Sequence, residues 1–258
     1  MAAGGTPLWS GDPCQPGETI PLTPDLGPAW LRPLIDNVDH VPDAARRRLP
    51  AQVLALVTAA TATPLPNGRD AAVLVLFSGP AAGPAGGRVP DEADLLLTVR
   101  AATLRHHAGQ AAFPGGASDP SDAGPVVTAL REAHEETGLD PRRLHPLATL
   151  ERTFIAPSRF HVVPVLAYSP DPGPVAVINE AETAKVARVP LRAFINPANR
   201  LMVYRRPHRD FAGPAFLLNE MLVWGFTGQV ISAMLDVAGW VQPWDTNDVR
   251  ELDEAMAL

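Results

Sequence analysis

The order of the apolar runs in the middle of the chain restricts the fold more than any other feature. Six short apolar runs, bounded by turn-forming residues, predict buried strands. They lie at 71–78, 93–99, 147–154, 160–168, 184–189 and around 214–218. Several follow one another without a helix between them, so strict βαβ alternation is disfavoured. We expect an α+β fold, in which helices pack on the faces of a mixed β-sheet.

Two long helical patterns accompany these strands, at 126–137 and 221–238, and each is followed by a glycine suited to a helix C-cap. A third helix is predicted at 43–60, where Pro50 can interrupt it. The segment 79–90 is rich in glycine and proline and is expected to join the first two strands as a flexible hairpin connection.

Proline and glycine also mark the organisation of the chain. They are concentrated in residues 1–28, which we expect to form a flexible tail. Residues 29–245 contain no internal repeat, and their amino-acid composition does not change along the segment. We therefore expect a single domain there. Residues 246–258 are expected to form a C-terminal tail.

Composition excludes several classes of function. The chain has 21 basic and 28 acidic residues, for a net charge of −7, and it lacks the basic patch of a nucleic-acid-binding protein. The longest apolar stretch, at 51–62, is too short to span a bilayer, so no membrane role is expected. Cys14 is the single cysteine and the N-terminus has no signal-peptide pattern, which predicts a cytoplasmic protein.

The segment 113–139 carries the most chemical information. A glycine-rich turn leads through an acidic loop into a helix on which Glu132, Glu135 and Glu136 occupy positions i, i+3 and i+4. Carboxylates at this spacing share one helix face and repel each other unless cations compensate them. Oxygen ligands without a His or Cys cluster favour Mg²⁺ or Mn²⁺ over zinc. The spacing alone fits an ordinary solvated acidic face better, so the flanking residues decide between the two.

Those flanking residues resemble the Nudix box. REAHEETGL at 131–139 matches the second half of the box, REUxEExGU, with Ala133 at the first aliphatic position. In the first half of the box, the general spacing places Ala117 where a glycine is expected and Ala123 where an acidic residue is expected. If the spacing is one residue longer, Gly116 and Asp122 occupy these two positions. With FPGG at 113–116, Asp119 and TALREA at 128–133, this variant resembles the coenzyme A diphosphatase branch of the family. The shift leaves Asp122 with a structural role.

The resemblance implies a Nudix α/β/α sandwich with a mixed sheet, in which the box forms a loop–helix–loop. It also implies a divalent metal cofactor, Mg²⁺ or Mn²⁺. The expected metal ligands are Glu132, Glu136, Glu135 and the carbonyl of Gly116. The expected catalytic residues are Glu135, Glu136, Arg131 and Glu182.

A second block, at 96–116, resembles the segment that accompanies the box in the coenzyme A branch. It provides the expected substrate-binding residues Arg100, Arg105, His107 and Gln110. Arginine can hold phosphate oxygens bidentately, although either arginine alone could equally pair with a surface acid.

The resemblance extends over about residues 70–240, through SRFHVVPV, INEAETAKVARVPL and GPAFLLNEMLVWGFTGQVI. KVARVP at 185–190 departs from it, because relatives tend to carry an acidic and aromatic pair there. Glu180 and Glu182 lie in the loop where the family often places an additional glutamate, although an exposed loop acid fits equally well. Trp224 and Phe226 are expected in the core, and His134 on the surface.

The resemblance implies hydrolysis of coenzyme A, or of a derivative, to 4′-phosphopantetheine and adenosine 3′,5′-bisphosphate. One alternative is a Nudix diphosphatase acting on ADP-ribose, NADH or another nucleoside diphosphate derivative. A non-catalytic nucleotide-binding regulator is disfavoured, because all three box carboxylates are present. The expected partner is therefore a small-molecule substrate, and the resemblance is compatible with a homodimer.

Overall fold

The computed structural model describes residues 19–49, 54–55, 58–59, 68–84, 87–101, 109–156, 158–207, 209–218 and 221–257. Cys14, Arg105 and His107 lie outside these residues, as do residues 50–53, 56–57 and 60 of the helix predicted at 43–60. In the described part of that prediction, a helix spans Val41–Arg46 and ends before Pro50. Within the described residues, no helix has the length and apolar character needed to cross a membrane.

A mixed eight-stranded sheet forms the centre of the fold. Its strands are β1 (Arg69–Ser78), β2 (Asp94–Arg100), β3 (Ala111–Ala112), β4 (Gly115–Ala117), β5 (His145–Thr149), β6 (Thr153–Ile155), β7 (Phe160–Ser169) and β8 (Thr183–Pro190). β1 and β7 pair in parallel over their full length, and β2 and β8 pair antiparallel. β4 pairs antiparallel with the first half of β1, and β2 pairs antiparallel with the last two residues of β1.

A second, four-stranded sheet has the order β11-β10-β9-β12. It consists of β9 (Arg200–Tyr204), β10 (Gly213–Leu218), β11 (Met221–Val223) and β12 (Val249–Glu251). β9 and β11 pair antiparallel with β10, whereas β12 pairs in parallel with β9.

Six α-helices accompany the sheets in the described part of the chain. They are α1 (Arg32–Ile35), α2 (Val41–Arg46), α3 (Pro125–Thr137), α4 (Leu191–Ile195), α5 (Gly225–Val237) and α6 (Leu252–Met256). α3 starts with a proline, which suits the first helical turn, and ends at Gly138 in a left-handed conformation with φ of 68°.

The two long helices cover opposite faces of the central sheet. Successive side chains of a strand point to opposite faces. Accordingly, Leu74 of β1 packs in one core cluster with Leu130 of α3, whereas Val75 packs in another with Ile231 of α5. This layering confirms the expected α+β class and the α/β/α sandwich.

The structure corrects three elements. The helix predicted at 221–238 begins only at Gly225, because residues 221–223 form a strand that pairs with β10. The single strand predicted at 147–154 is two strands, β5 and β6, which both pair with β7. The segment predicted as a C-terminal tail, 246–258, contributes β12 and α6, whose Leu252 is buried.

The strands predicted at 71–78, 93–99, 160–168, 184–189 and 214–218 are confirmed as β1, β2, β7, β8 and β10. The described end of the N-terminal tail, residues 19–28, lies against β5. There the backbone N–H of Thr23 donates to the carbonyl of Pro146 at 2.7 Å.

Candidate active site

Two carboxylates of the acidic helix meet the glycine strand β4. The backbone N–H of Gly115 donates to Oε2 of Glu136 at 3.2 Å. The carboxylate of Glu132 lies so close to Gly116 that a Cβ at that position would overlap it. Gly115 has φ of 155°, and a Cβ there would strike the carbonyl oxygen of Ala72 on β1. Glycine is therefore required where the helix approaches the sheet.

Burial disfavours the negative charge of both carboxylates, and the nearby donors and positive charges offset this effect only in part. It raises the pKa of Glu136 to about 7, although the Gly115 N–H and the charge of Arg100 act in the opposite direction. The negative charges of Glu132 and Glu182 add to the rise. Burial also raises the pKa of Glu132, against the effect of Arg131. The pair is thus a region of negative charge that a cation would stabilise.

The third carboxylate of the helix is placed differently. The side chain of Glu135 is 55% exposed, and Nη1 of Arg131 lies 3.4 Å from its Oε2. Within the described ranges, no three His, Cys, Asp or Glu side chains are arranged to hold a metal ion. The structure therefore brings two of the three predicted carboxylates together and leaves the third facing solvent.

Arg131 connects the acidic loop to the helix. Its Nε and Nη2 donate to the two carboxylate oxygens of Asp122 at 3.1 and 2.9 Å. Nη1 donates to Glu132 at 2.9 Å, and Nη2 also donates to the carbonyl of Ala117 at 3.0 Å. Hydrogen bonds with Asp122 raise the pKa of Arg131, so it stays charged. One guanidinium thus holds the loop, the strand and the Glu132 carboxylate in a single arrangement.

Asp122 is buried at the centre of this arrangement, with only 3% of its side chain exposed. Burial alone would raise its pKa, but hydrogen bonds from Arg131, the Asp119 backbone and Thr128 lower it. The Thr128 hydroxyl donates to Asp122 at 2.8 Å. Sequence reasoning did not assign Thr128 a role, although TALREA contains it. Thr128 could have been recognised as a polar residue on the helix face that packs against the acidic loop.

Glu182 reaches the site through a loop fastened to the end of α3. The backbone N–H groups of Ala176 and Ile178 donate to the carbonyls of Thr137 and Glu136 at 3.0 and 3.4 Å. At the far end of the loop, the N–H of Ala101 donates to the carbonyl of Glu182 at 2.8 Å. These contacts place the exposed Glu182 near Glu136, where its charge contributes to the raised pKa.

Arg100, the last residue of β2, faces the same carboxylates. Its Nε is shielded from solvent and lacks a hydrogen-bond partner among the residues described, and its charge opposes the rise in the pKa of Glu136. Gln110 is held beside it, because the Arg100 N–H donates to the Gln110 carbonyl at 3.0 Å. The predicted substrate contacts of both residues stay predictions.

The remaining candidates lie outside this group. Trp224 packs with the small cluster of the second sheet, whereas Phe226 packs with the main core, so the two rings belong to different clusters. Nδ1 of His134 lies 2.8 Å from the carbonyl of Leu139, at the end of α3. Glu180 is exposed in the loop before Glu182.

Replacing Gly116 by alanine tests the close approach of the helix. We expect the added Cβ to displace the Glu132 carboxylate and to lower kcat/KM by about 10²-fold, because small shifts of catalytic groups are costly. Steady-state kinetics checks this. The control is Gly213→Ala, because a Cβ at Gly213 meets no atom within 4 Å. Equal kinetics for the two variants would contradict the close packing of Glu132 on Gly116.

Comparison with known proteins agrees with this geometry. A family model described as the NUDIX domain matches residues 69–211, more than half of the chain. The chain belongs to the Nudix family. It is therefore a Nudix hydrolase, and enzymes of this family generally use divalent metal ions.

The Nudix relatives include an uncharacterized Nudix hydrolase, NudL, from Photorhabdus laumondii. It is 39% identical over 141 residues, which cover 53% of this chain and 73% of the relative. Nudix hydrolase 22, chloroplastic, from Arabidopsis thaliana is 31% identical over 182 residues, which cover 63% of this chain and 53% of the relative. The crystal structure of the M. smegmatis Nudix hydrolase RenU superposes with a TM-score of 0.43 at 19% identity, covering 69% of this chain and 90% of that chain.

Proposed function

We propose that this Nudix hydrolase cleaves the diphosphate of coenzyme A, or of a derivative, to 4′-phosphopantetheine and adenosine 3′,5′-bisphosphate. The observation that carries the proposal is the register of the box. Gly116 meets Glu132 and Asp122 meets Arg131, as the register with one extra residue requires. This is the register in which the box and its upstream block resemble the coenzyme A diphosphatase branch.

The donor atoms fit a divalent cation. The carboxylates of Glu132 and Glu136 and the carbonyl of Gly116 are hard oxygen donors of the kind Mg²⁺ and Mn²⁺ prefer, and burial leaves the carboxylates short of positive charge. These residues would hold the ion, with Glu135 as a further ligand or as the group that orients the water. When bound, the ion supplies positive charge to the phosphoryl oxygens and lowers the pKa of water.

The side chains around the ion site account for the rest of the reaction. Water attacks one phosphorus, the P–O–P bridge breaks, and the leaving phosphate takes the bond electrons. We assign the water proton to Glu182, which is exposed beside Glu136 on a loop fixed at both ends. Arg100 binds phosphate oxygens through its guanidinium group, whose Nε has no hydrogen-bond partner among the described residues. Arg131 keeps the Glu132 carboxylate in place.

Product analysis tests the substrate. The purified protein is incubated with Mg²⁺ or Mn²⁺ and, separately, with coenzyme A, ADP-ribose and NADH. Preferred turnover of coenzyme A with release of adenosine 3′,5′-bisphosphate is the expected result. Preference for ADP-ribose or NADH would contradict the coenzyme A assignment and keep the diphosphatase chemistry. No turnover of any of the three would contradict the catalytic assignment and favour a nucleotide-binding regulator.

The role of Glu182 has its own test. We expect Glu182→Gln to lower kcat by about 10²- to 10⁴-fold with little change in KM, because the amide cannot accept the proton. Glu180→Gln is the matched control, since Glu180 is exposed in the same loop, and it should keep normal kinetics. Normal kcat in the Glu182 variant would remove Glu182 from the catalytic set.

The wider predictions remain proposals. They are a cytoplasmic location, a homodimer, and the lack of nucleic-acid and membrane partners. Sedimentation of the purified chain checks the homodimer directly.

A further inference from the structure

The second sheet buries an arginine that forms no ion pair with the residues described in the structure. Arg200 begins β9 and is only 3% exposed. Its Nη2 donates to Oγ of Ser232 on α5 at 2.8 Å. In the ranges that the structure covers, Nε and Nη1 have no hydrogen-bond partner, although both are shielded from solvent. Buried donors of this kind call for an explanation, such as a bound ion.

Aromatic rings explain only part of this burial. The guanidinium lies 4.5 Å from the centre of the Trp244 ring and 5.3 Å from that of Phe216. Such contacts stabilise a cation through the ring faces, but they do not provide acceptors for the N–H groups. Burial accordingly lowers the pKa of Arg200 to about 10, and the nearby charge of Arg48 adds to the effect.

A second arginine shares the same indole. The guanidinium of Arg48 lies 6.0 Å from the centre of the Trp244 ring and is paired with Asp236 of α5. The charge of Asp236 partly offsets this effect on Arg200. The Asp236 carboxylate thus pairs with one guanidinium group and acts on a second, so the two arginines share this negative charge.

We propose that Arg200, Arg48 and Ser232 form a binding site for a phosphoryl group, with Trp244 as its cover. The guanidinium groups and the hydroxyl supply donors that suit a tetrahedral oxyanion. Trp244 is half-buried and lies between α5 and β12, in a stretch without helix or strand, so it can move without breaking an element. The site shares no residue with the Nudix box, and its occupancy is independent of the proposed hydrolysis.

The test is titration of the full chain with inorganic phosphate and, in a second arm, with adenosine 5′-monophosphate. Metal-depleted protein is used, so that phosphate is not held at the box carboxylates. Calorimetry should show saturable binding, and the unfolding temperature should rise with ligand concentration. Binding of phosphate identifies a site for the free ion, whereas binding of the nucleotide alone identifies a site that also requires the base.

Variants locate the binding. Arg200→Gln should weaken affinity at least tenfold, and Ser232→Ala, which is milder, should weaken it several-fold. Arg250→Gln is the control, because Arg250 has its own partner in Asp248 at 2.7 Å, and it should bind like the parent. If Arg200→Gln fails to fold, Ser232→Ala decides. The proposal is overturned if neither ligand binds the parent chain saturably, or if the folded Arg200 or Ser232 variant binds as the parent does.

Discussion

Glu136→Gln should remove most of the activity while stabilising the metal-free protein. Glu136 is the most deeply buried carboxylate of the box helix, and its contact with the Gly115 N–H aims it at the glycine strand. The amide keeps the shape of the side chain but loses the negative charge that a cation needs. We expect kcat to fall by about 10³-fold, in the range seen when a charged catalytic group is lost.

The gain in stability follows from the raised pKa of Glu136. The carboxyl group titrates near 4.5 in the unfolded chain and at about 7 in the folded one. Protonated Glu136 therefore contributes to the stability of the fold. This contribution is complete below pH 4.5 and is lost as the pH rises to about 7. At pH 8 the ionised group therefore destabilises the metal-free fold by about 3 kcal/mol, and glutamine removes this effect.

Chemical denaturation of the metal-free proteins at pH 5 and pH 8 measures this difference. The gain from Glu136→Gln should be larger at pH 8, and saturating Mn²⁺ should stabilise the parent more than the variant. Glu180→Gln serves as the control, since Glu180 is exposed and its replacement should change neither value. Full activity of Glu136→Gln would refute its metal-binding role, and an equal gain at both pH values would refute the buried charge.

Arg131→Met should destabilise the protein by about 3–5 kcal/mol, because it leaves the buried Asp122 carboxylate without its bidentate partner. It also frees Glu132, so activity should fall together with stability. Arg131→Lys should recover little of either, since an ammonium group cannot reproduce the fork that joins Asp122, Ala117 and Glu132. Unfolding free energies and kcat/KM for both variants check this.

A second change separates charge from shape. Adding Asp122→Asn to Arg131→Met removes the unpaired charge and should restore part of the lost stability without restoring activity. The control is Arg142→Met, because Arg142 pairs with Asp140 near the surface, where such pairs contribute about 1 kcal/mol or less. If the Arg131 and Arg142 variants lose similar stability, Arg131 does not hold the acidic loop in the way the contacts indicate.

The elements that the sequence predicts well are those whose pattern is local. β1 and β7 are continuous apolar runs between turn formers, and α3 combines an amphipathic pattern with a glycine C-cap. The failures depend on distant partners. Met-Leu-Val at 221–223 suits a helix or a strand, and pairing with β10 decides between them. β12 contains Arg250 and Glu251, so only its pairing with β9 makes it a strand.

The same distinction applies to the candidate site. Helical spacing places Glu132, Glu135 and Glu136 on one face, but it does not show which carboxylates turn towards β4. That choice depends on Arg131, which also contacts Glu135, and on the glycine strand. The position of Glu182 beside Glu136 depends on how a loop about 45 residues further along the chain folds back onto α3.

The hydrogen bonds between α3 and the loop that carries Glu182 determine where this loop can change in length. The backbone N–H groups of Ala176 and Ile178 are hydrogen-bonded to the end of α3, and the carbonyl of Glu182 is hydrogen-bonded to Ala101. The five residues from 178 to 182 therefore connect two fixed points. One residue added there changes the distance that sets the position of Glu182. Residues added near Gly173, before the first fixed point, leave both of these attachments unchanged. Natural length variation and engineered insertions should therefore be found before residue 176.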